Sequence, residues 1–468
     1  MRVKAKSLGP IRDESNIELG DLTVFFGPQN TGKSTVMKAI YYSLSPPITG
    51  PTYEKGAVAL GPLTLAYNDP GKEVEFRISL DKDYVKSLLP DGEFEVEPSL
   101  LSFLEENSLY DKYEDSLDPF PLTLPAECEA EIKKTVRKTL GEGVPFRAEV
   151  MGSSGKVTIE LDGEGVSPSC KEALYKEITK KALERVASRI LTVQTEKFKE
   201  LLRERDGIEG VVYIPYWRSF VLSEAVKLLN YHAQSKGTFS SIFDSIAYSF
   251  ARAVVEASLY SFYDLHSLFK RASEASINER IYRLVKLLVP GDLVKTPEGQ
   301  LAYVEGGKPI PWDFVSASIA ELLTLPLSIR EGELVLYEEP EAQLHERSQV
   351  VMALILYALT NTNRLVITTH SQTILYTLAY MALTRPTADD VKEFLNSIGV
   401  NGGEELANLV GSAGSKAVRF YYFHDGKVEE VEAKKVIEGI PGVADVMHEE
   451  FRWLSGLYWR KRIDAGAD

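Results

Sequence analysis

The sequence predicts an α/β protein with a mixed, mainly parallel sheet, a flanking antiparallel β-subdomain and an inserted α/β subdomain. A glycine-containing turn at residues 27–35 separates an apolar strand from a helical pattern. Two short apolar segments, 333–337 and 365–368, flank a second helical pattern at 345–359. Strand–helix–strand alternation of this kind is typical of parallel strands covered by helices. After the first helical pattern, residues 57–80 alternate as antiparallel strands do.

The remaining elements follow from the period of their apolar residues and from turn signals. Strands are expected at 2–6, 22–26, 57–67, 74–80, 146–159 (a hairpin) and 211–215, and helices at 34–44, 171–205, 221–229, 241–269 and 277–288. The turns 68–71 and 152–155 carry the Gly, Pro, Asn, Asp or Ser residues that such connections favour. These elements predict three regions: 1–80 and 209–468 as the two halves of one domain, and 81–208 as an inserted subdomain with a helical arm.

Length and composition place the chain among ordinary globular proteins. It has 468 residues, of which 44% are hydrophobic and 26% charged. Apolar stretches such as 350–359 are shorter than the roughly 20 residues that a membrane-spanning helix needs. The first residues contain no apolar signal-peptide core, so we expect a cytoplasmic protein. The net charge of −15 excludes a surface that is basic all over, so nucleic acid would have to bind at a local patch.

The two cysteines, Cys128 and Cys170, lie far apart and belong to no CxxC pair. This spacing argues against a zinc site, an iron–sulfur cluster and a disulfide framework. Two reduced thiols are the expected state in the cytoplasm. A disulfide between them, as found in some thermophile cytosolic proteins, is the alternative.

The strongest motif is a phosphate-binding loop, Gly27-Pro-Gln-Asn-Thr-Gly-Lys-Ser-Thr35, which follows an apolar strand and opens a helix. A helix amino terminus offers unpaired N–H groups and the positive end of a dipole to phosphate oxygens. Lys33 is expected to neutralise the β and γ phosphates, and the Ser34 hydroxyl to bind Mg²⁺. The predicted nucleotide-binding residues of this loop are Gly27, Asn30, Thr31, Gly32, Lys33, Ser34 and Thr35.

Two further motifs supply groups for hydrolysis. The strand at 333–337 runs into the adjacent carboxylates Glu338 and Glu339, and the strand at 365–368 runs towards His370. We expect Glu338 to hold Mg²⁺ and Glu339 to act as general base on the attacking water. His370 is expected to reach the γ-phosphate and that water. An acidic turn and a structural histidine are the simpler interpretations of each motif by itself.

Three motifs, taken in their order along the chain, resemble the ABC-type ATPases of the SMC and DNA-repair kind. They are the phosphate loop, Glu-Glu-Pro-Glu-Ala-Gln-Leu-His at 338–345 and Thr-Thr-His-Ser at 368–371. They resemble more closely the short OLD-like AAA family ATPases. The resemblance covers roughly residues 1–80 and 210–430 and implies an ABC-type P-loop ATPase head that uses ATP and Mg²⁺. The chain carries no D-x-D carboxylate pair of a Toprim nuclease domain after His370, so it resembles the relatives without one.

The resemblance also implies a homodimer with two nucleotides between its heads. Ser-Ala-Ser-Ile-Ala-Glu-Leu at 316–322 resembles the family signature, whose loop binds the γ-phosphate held by the opposite protomer. Ser316 and Ser318 are therefore predicted nucleotide ligands. Ser318 stands where the family has glycine, which makes close backbone approach harder and implies slow hydrolysis. Arg218 ends a strand that resembles the family's, and either faces the nucleotide or forms a surface salt bridge.

The leading functional hypothesis is ATP-driven engagement of DNA in chromosome organisation, repair or defence, with association with the nucleoid. The chain is similar to short-armed archaeal SMC relatives such as coalescin, in which a compact insertion would be a hinge or dimer contact. Cations at 171–189, and cations interleaved with aromatic residues at 452–462, are candidate DNA contacts. A solvated helix face and a docked terminal helix are the structural alternatives. A regulatory ATPase that gates a separate effector protein without binding DNA is the second hypothesis, which the acidic composition favours.

Overall fold

The computed structural model describes residues 1–46, 51–54, 56–107, 110–117, 124–136, 143–161, 165–217, 279–295, 301–311 and 314–439. The chain divides into two compact units. The first contains Met1–Tyr41, Asp91–Glu95 and the residues from Gly207 onward; the second contains Tyr42–Pro90 and Val96–Asp206. The helices expected at 221–229 and 241–269 lie outside the described residues.

Nineteen strands lie in the described part of the chain. They are β1 (Arg2–Lys6), β2 (Ser15–Glu18), β3 (Leu22–Phe26), β4 (Thr52–Glu54), β5 (Ala57–Leu60), β6 (Leu63–Tyr67), β7 (Glu73–Leu80), β8 (Glu93–Glu97), β9 (Tyr110–Leu117), β10 (Val144–Met151), β11 (Ser154–Ile159), β12 (Gly210–Ile214), β13 (Asp292–Lys295), β14 (Leu301–Glu305), β15 (Lys308–Pro311), β16 (Glu333–Glu338), β17 (Arg364–Thr369), β18 (Val418–His424) and β19 (Lys427–Val431).

Twelve helices lie in the same described ranges. They are α1 (Lys33–Leu44), α2 (Tyr84–Ser87), α3 (Leu100–Glu106), α4 (Ala126–Thr135), α5 (Pro168–Asp206), α6 (Glu279–Val285), α7 (Ala317–Ser328), α8 (Glu346–Leu359), α9 (Gln372–Thr384), α10 (Ala388–Ser397), α11 (Glu404–Ser412) and α12 (Ala433–Glu438).

The first unit is built on a six-stranded sheet in the order β12-β16-β17-β3-β18-β19. Its first five strands are parallel, and β19 pairs antiparallel to β18. The central strands β3, β16 and β17 are almost wholly buried, and α8 contributes the continuous buried run 351–359 to the same core. Burial on both faces requires apolar residues at successive positions, which is why these strands read as continuous apolar runs. The structure thus confirms the predicted α/β class with a mainly parallel sheet.

The second unit has a seven-stranded antiparallel sheet in the order β4-β5-β6-β7-β11-β10-β9. One face of the sheet is apolar and packs against the 39-residue helix α5, which is about 58 Å long at 1.5 Å per residue. The strands alternate buried and exposed residues, as in β10, because the other face carries charged side chains. The buried positions of α5 recur every three or four residues, so that the predicted arm lies on this sheet along much of its length.

The predicted β-segment 57–80 forms β5, β6 and β7 and belongs to the second unit, whereas the sequence analysis grouped it with residues 1–56. Alternation identifies strands but does not specify which sheet they join. The same limit applies to β8, which pairs with β1 in a three-stranded sheet although its neighbours along the chain lie in the second unit.

Cys128 and Cys170 form a disulfide, so the expectation of two reduced thiols is wrong. Cys128 lies on α4 and Cys170 in the first turn of α5, with their Cα atoms 5.2 Å apart. Both side chains are buried in the core of the second unit. The two cysteines are 42 positions apart in sequence, and the hairpin β10–β11 lies between them, so the pairing arises from tertiary packing and leaves no local signature.

Among the described residues, no helix is both long and apolar enough to cross a membrane.

Candidate active site

The phosphate loop lies between β3 and α1, and two of its glycines are required by their surroundings. Gly27 has φ +131°, and a Cβ there would lie 2.2 Å from the carbonyl oxygen of Phe423. This approach is close because β18 runs parallel to β3, with Tyr422 opposite Phe26. Gly32 has φ +101°, and a Cβ there would meet the Ile11 side chain at 2.9 Å. The loop therefore has the narrow, glycine-dependent path that the motif predicts.

Lys33 is buried and folds back over its own loop. Its Nζ donates to the carbonyl oxygens of Gly27 (3.0 Å) and Pro28 (2.6 Å). Burial lowers the pKa of Lys33 to about 8, and the carboxylates of Glu339 and Glu341 oppose that shift. The amine is therefore largely protonated near neutral pH. It places a positive charge inside the loop.

The other predicted residues of the loop lie around this lysine. Asn30 has a left-handed backbone with φ +58°, which asparagine tolerates better than most residues. The hydroxyl of Thr31 donates to Pro28 O at 2.9 Å. Ser34 and Thr35 follow Lys33 in the first turn of α1 and are partly buried. This turn presents the N–H groups of a helix amino terminus.

Glu338 and Glu339 lie at the carboxyl edge of the same sheet. Strand register places Glu338 beside Thr368, and Thr368 beside Phe25, two residues before the loop. The Glu338 side chain is buried, and its Oε2 accepts the main-chain N–H of Tyr216 at 3.2 Å. Glu339 has a left-handed backbone with φ +42°. Its N–H donates to both the carbonyl (3.0 Å) and the hydroxyl (3.2 Å) of Thr368.

His370 follows β17 and faces the second carboxylate. Its Nε2 lies 3.9 Å from Glu339 Oε1, which is too long for a hydrogen bond. Burial, and then the nearby Lys33 charge, lower the pKa of His370. The imidazole is therefore neutral at physiological pH, and its contact with Glu339 is not a salt bridge. A neutral imidazole beside a carboxylate can accept or relay a proton.

The structure thus brings Lys33, Glu338, Glu339 and His370 to one edge of the sheet, whereas no described contact links the signature serines to these four residues. Ser316 is the N-cap of α7 and accepts the N–H of Ile319 at 3.4 Å, and Ser318 lies in the first turn. Their described contacts remain local. Arg218 lies outside the described residues.

Three residues that the sequence analysis did not assign complete this edge. Thr368 holds the backbone of Glu339, as described above. Glu341 accepts two main-chain N–H groups from the segment that carries His370. Gln349 accepts the hydroxyl of Ser371 at 2.6 Å. Glu341 lies inside the Glu-Glu-Pro-Glu motif, so its place there was the available signal. Thr368 likewise lies in the Thr-Thr-His-Ser motif, whereas Gln349 carries no signal that distinguishes it from an ordinary polar residue.

The donor types at this edge fit a polyphosphate with a hard divalent cation. A buried lysine and a helix amino terminus suit phosphate oxygens. A serine hydroxyl and a buried carboxylate, Ser34 and Glu338, are the oxygen ligands that Mg²⁺ prefers. Glu339, the more exposed carboxylate of the pair, stands beside the neutral His370.

Comparisons with known proteins yield structural likenesses only. No protein-family model and no curated protein matches the sequence. Among solved structures, the SMC head domain from Thermotoga maritima matches with 12% identity over 92% of this chain and 97% of its own, at a TM-score of 0.29. The Smc head domain from Pyrococcus furiosus with an extended coiled coil, bound to the C-terminal domain of ScpA, also matches. Its identity is 11% over 96% of this chain and 98% of its own, at a TM-score of 0.31.

The Smc head domain from Pyrococcus yayanosii with a coiled coil and joint also matches, with 11% identity over 93% of this chain and 98% of its own, at a TM-score of 0.32. These identities and scores are too low to assign a function. The residues at the sheet edge are therefore the basis for the function proposed below.

Proposed function

We propose that the protein binds ATP with Mg²⁺ at the phosphate loop and hydrolyses it slowly, as an ABC-type ATPase. The observation that carries this proposal is the convergence of Lys33, Glu338, Glu339 and His370 at the carboxyl edge of β3, β16 and β17. Ligands of parallel α/β sheets bind at that edge. The loop residues Gly27, Asn30, Thr31, Gly32 and Thr35 would line the phosphates.

Each residue has a defined part in the proposed reaction. Lys33 neutralises the β and γ phosphates, and the N–H groups of the first turn of α1 donate hydrogen bonds to the phosphate oxygens. Glu339 takes a proton from the attacking water as its oxygen bonds to the γ-phosphorus, while the bond to the β-phosphate oxygen breaks. His370 orients that water through its neutral ring. The products are ADP and inorganic phosphate.

Ser34 and Glu338 are the residues that would hold the metal. When bound, Mg²⁺ neutralises phosphate charge and supports the leaving group. The buried Glu338 is fixed by the N–H of Tyr216, so that its orientation is set before any ligand arrives. Glu339, one residue later, remains available for the proton.

The first test is nucleotide binding and turnover by the parent and by Lys33→Ala and His370→Ala. Lys33→Ala is expected to weaken ATP binding at least ~100-fold, because phosphate charge is then left without its buried cation. His370→Ala should lower kcat by roughly 10²-fold and leave the Kd for ATP within about threefold. Equal ATP binding by parent and Lys33→Ala, measured by calorimetry, would overturn the assignment of the site.

We further propose that ATP joins two copies of the chain, with Ser316 and Ser318 of each completing the site of the other. Both serines lie at the amino terminus of α7, where hydroxyls and N–H groups can reach a phosphate from outside. Replacing Ser316 with alanine should abolish ATP-dependent dimers seen by light scattering while ATP still binds. Dimers of unchanged stability would contradict this arrangement.

The proposed use of the ATPase cycle is engagement of DNA. On α5, the structure pairs Lys180 with Glu177 and Arg189 with Asp111. Lys181 likewise pairs with Glu184. These pairs neutralise part of the cationic helix face, on which Lys171, Lys176 and Arg185 are exposed to solvent. The second candidate patch, 452–462, lies outside the described residues.

The alternative is an ATPase that gates an effector protein and does not bind DNA, which the net charge of −15 favours. A DNA gel shift with and without ATP, repeated from low to moderate salt, separates the two. ATP-dependent binding that weakens steeply with salt supports DNA engagement. An absence of binding at every salt concentration supports the gating ATPase.

A further inference from the structure

We infer that Glu341 is a positioning residue, whose carboxylate fixes the main chain of His370 and thereby sets the imidazole against Glu339. This inference rests on the proposed function. It concerns a residue outside the set that binds phosphate or metal, and it assigns that residue a role in turnover.

The geometry of Glu341 carries the inference. Its Oε1 accepts the N–H of His370 at 2.6 Å and the N–H of Ser371 at 3.1 Å. The other oxygen, Oε2, is buried. One carboxylate oxygen therefore spans two successive peptide groups, and this determines the direction of the chain as it leaves β17. A carboxylate at this position also suits the amino terminus of α9, which begins at Gln372.

A second set of contacts holds the same segment from the other side. The hydroxyl of Ser371 caps α9 by accepting the N–H of Ile374 at 3.1 Å, and it donates to Gln349 Oε1 at 2.6 Å. Gln349 Nε2 in turn donates to Leu344 O at 2.8 Å. Glu341, Leu344 and Gln349 all belong to the chain that follows the acidic pair. The segment after β16 is therefore hydrogen-bonded to the segment after β17 at two points, through Glu341 and through Gln349.

These hydrogen bonds matter because the side chains of His370 and Glu339 form no direct hydrogen bond with each other. Their 3.9 Å separation is set by the two main chains. The Glu339 backbone is fixed by Thr368, and the His370 backbone by Glu341. Loss of Glu341 leaves the Glu339 carboxylate in place and removes the hydrogen bond that fixes the main chain of His370. A shift of about 1 Å in a reacting geometry lowers a rate by roughly 10²-fold.

The test is a double-mutant cycle on ATP turnover with Glu341→Ala and His370→Ala in the full chain. Glu341→Ala is expected to lower kcat by about 10- to 100-fold with the KM for ATP within about threefold. In the His370→Ala background it should change kcat by less than about twofold, because no imidazole remains to be positioned. An equal loss in both backgrounds would overturn the inference.

Conservative and control variants sharpen the test. In Glu341→Gln the amide oxygen still accepts both N–H groups, so kcat should stay within about threefold of the parent. A loss as large as that of Glu341→Ala would show that charge, not position, is what matters, and would overturn the inference. Glu393→Ala, which removes an exposed carboxylate of α10, should leave kcat unchanged.

Gln349→Leu provides a second route if Glu341→Ala does not fold. This variant removes the acceptor of the Ser371 hydroxyl and should lower kcat by about threefold, again only when His370 is present. The same loss without His370 would contradict the inference. An absence of Lys33-dependent hydrolysis in the parent would overturn the proposed function itself, and the inference with it.

Discussion

The two units treat polar side chains in opposite ways. At the carboxyl edge of its sheet, the first unit buries Lys33, Glu338, Thr368 and Thr369. The second unit keeps its charged residues on the open face of its sheet, as in the exposed Arg147–Glu114 pair, and its core is almost entirely apolar. Burying a polar group costs free energy unless it has a partner, so buried polar groups concentrate where chemistry requires them. The residues of the proposed reaction therefore all belong to the first unit.

The largest expected difference concerns two glycines. Gly27→Ala should destabilise the first unit by about 4 kcal/mol and abolish ATP binding, because the new Cβ would overlap Phe423 O at a strained φ. Gly152 in the second unit has φ +60°, and a Cβ there would meet no atom within 4 Å. Gly152→Ala should therefore lower the free energy of unfolding by only about 1 kcal/mol. Chemical denaturation and ATP binding of both variants measure the contrast. Equal losses would break it.

The disulfide provides the next effect. Cys128→Ser should lower the free energy of unfolding of the second unit by about 4 kcal/mol, because the bond joins residues 42 positions apart. ATP binding should not change, since the site residues belong to the first unit. Thermal unfolding of parent and variant, each with and without reductant, tests this prediction. A variant that loses ATP binding would show that the units are not separable in this way.

Glu333 tests the consequence of burying charge away from the site. Burial raises the pKa of Glu333 to about 6, while the N–H of Arg330 opposes the shift. The folded chain thus holds this proton more tightly than the unfolded chain. Stability therefore falls as pH rises from about 4.5 through 6. Glu333→Gln should stabilise the protein by about 1 kcal/mol at pH 7 and remove that dependence. Unfolding curves at pH 5 and pH 7 measure both effects.

The smallest effect is expected on the charged face of the second unit. Arg147 pairs with Glu114 and Glu160, each at 3.0 Å, and all three side chains are exposed. Solvent screens such pairs, so Arg147→Ala should change stability by about 0.5 kcal/mol or less. Unfolding at low and high salt is the measurement. A loss above about 2 kcal/mol would mean that this face is an internal surface of an assembly.

The sequence predicted the elements that carry local signals. Three features have a short-range pattern: the glycines and lysine of 27–33, the apolar runs of β16 and β17, and the amphipathic helix α5. The loop, the strands and the helix each lie where the pattern predicts them. The adjacency of Glu339 and His370 could also be expected, because neighbouring parallel strands end at one edge.

Features set by tertiary packing could not be predicted in the same way. The Cys128–Cys170 bond depends on how α4 meets α5, which the spacing of two cysteines does not reveal. The role of Glu341 depends on the path of the chain after β17. The membership of β5–β7 in the second unit depends on which strand edges pair, since alternating residues suit either sheet.

The most direct test of the central claim is a single-turnover measurement of phosphate release by the parent and by Glu339→Gln, with Glu393→Gln as the exposed control. Our account predicts that Glu339→Gln binds ATP like the parent but releases phosphate at least ~100-fold more slowly, because the proton acceptor is lost. Glu393→Gln should match the parent. Phosphate release from Glu339→Gln at the parental rate would contradict the account, since Glu339 would then not be the base.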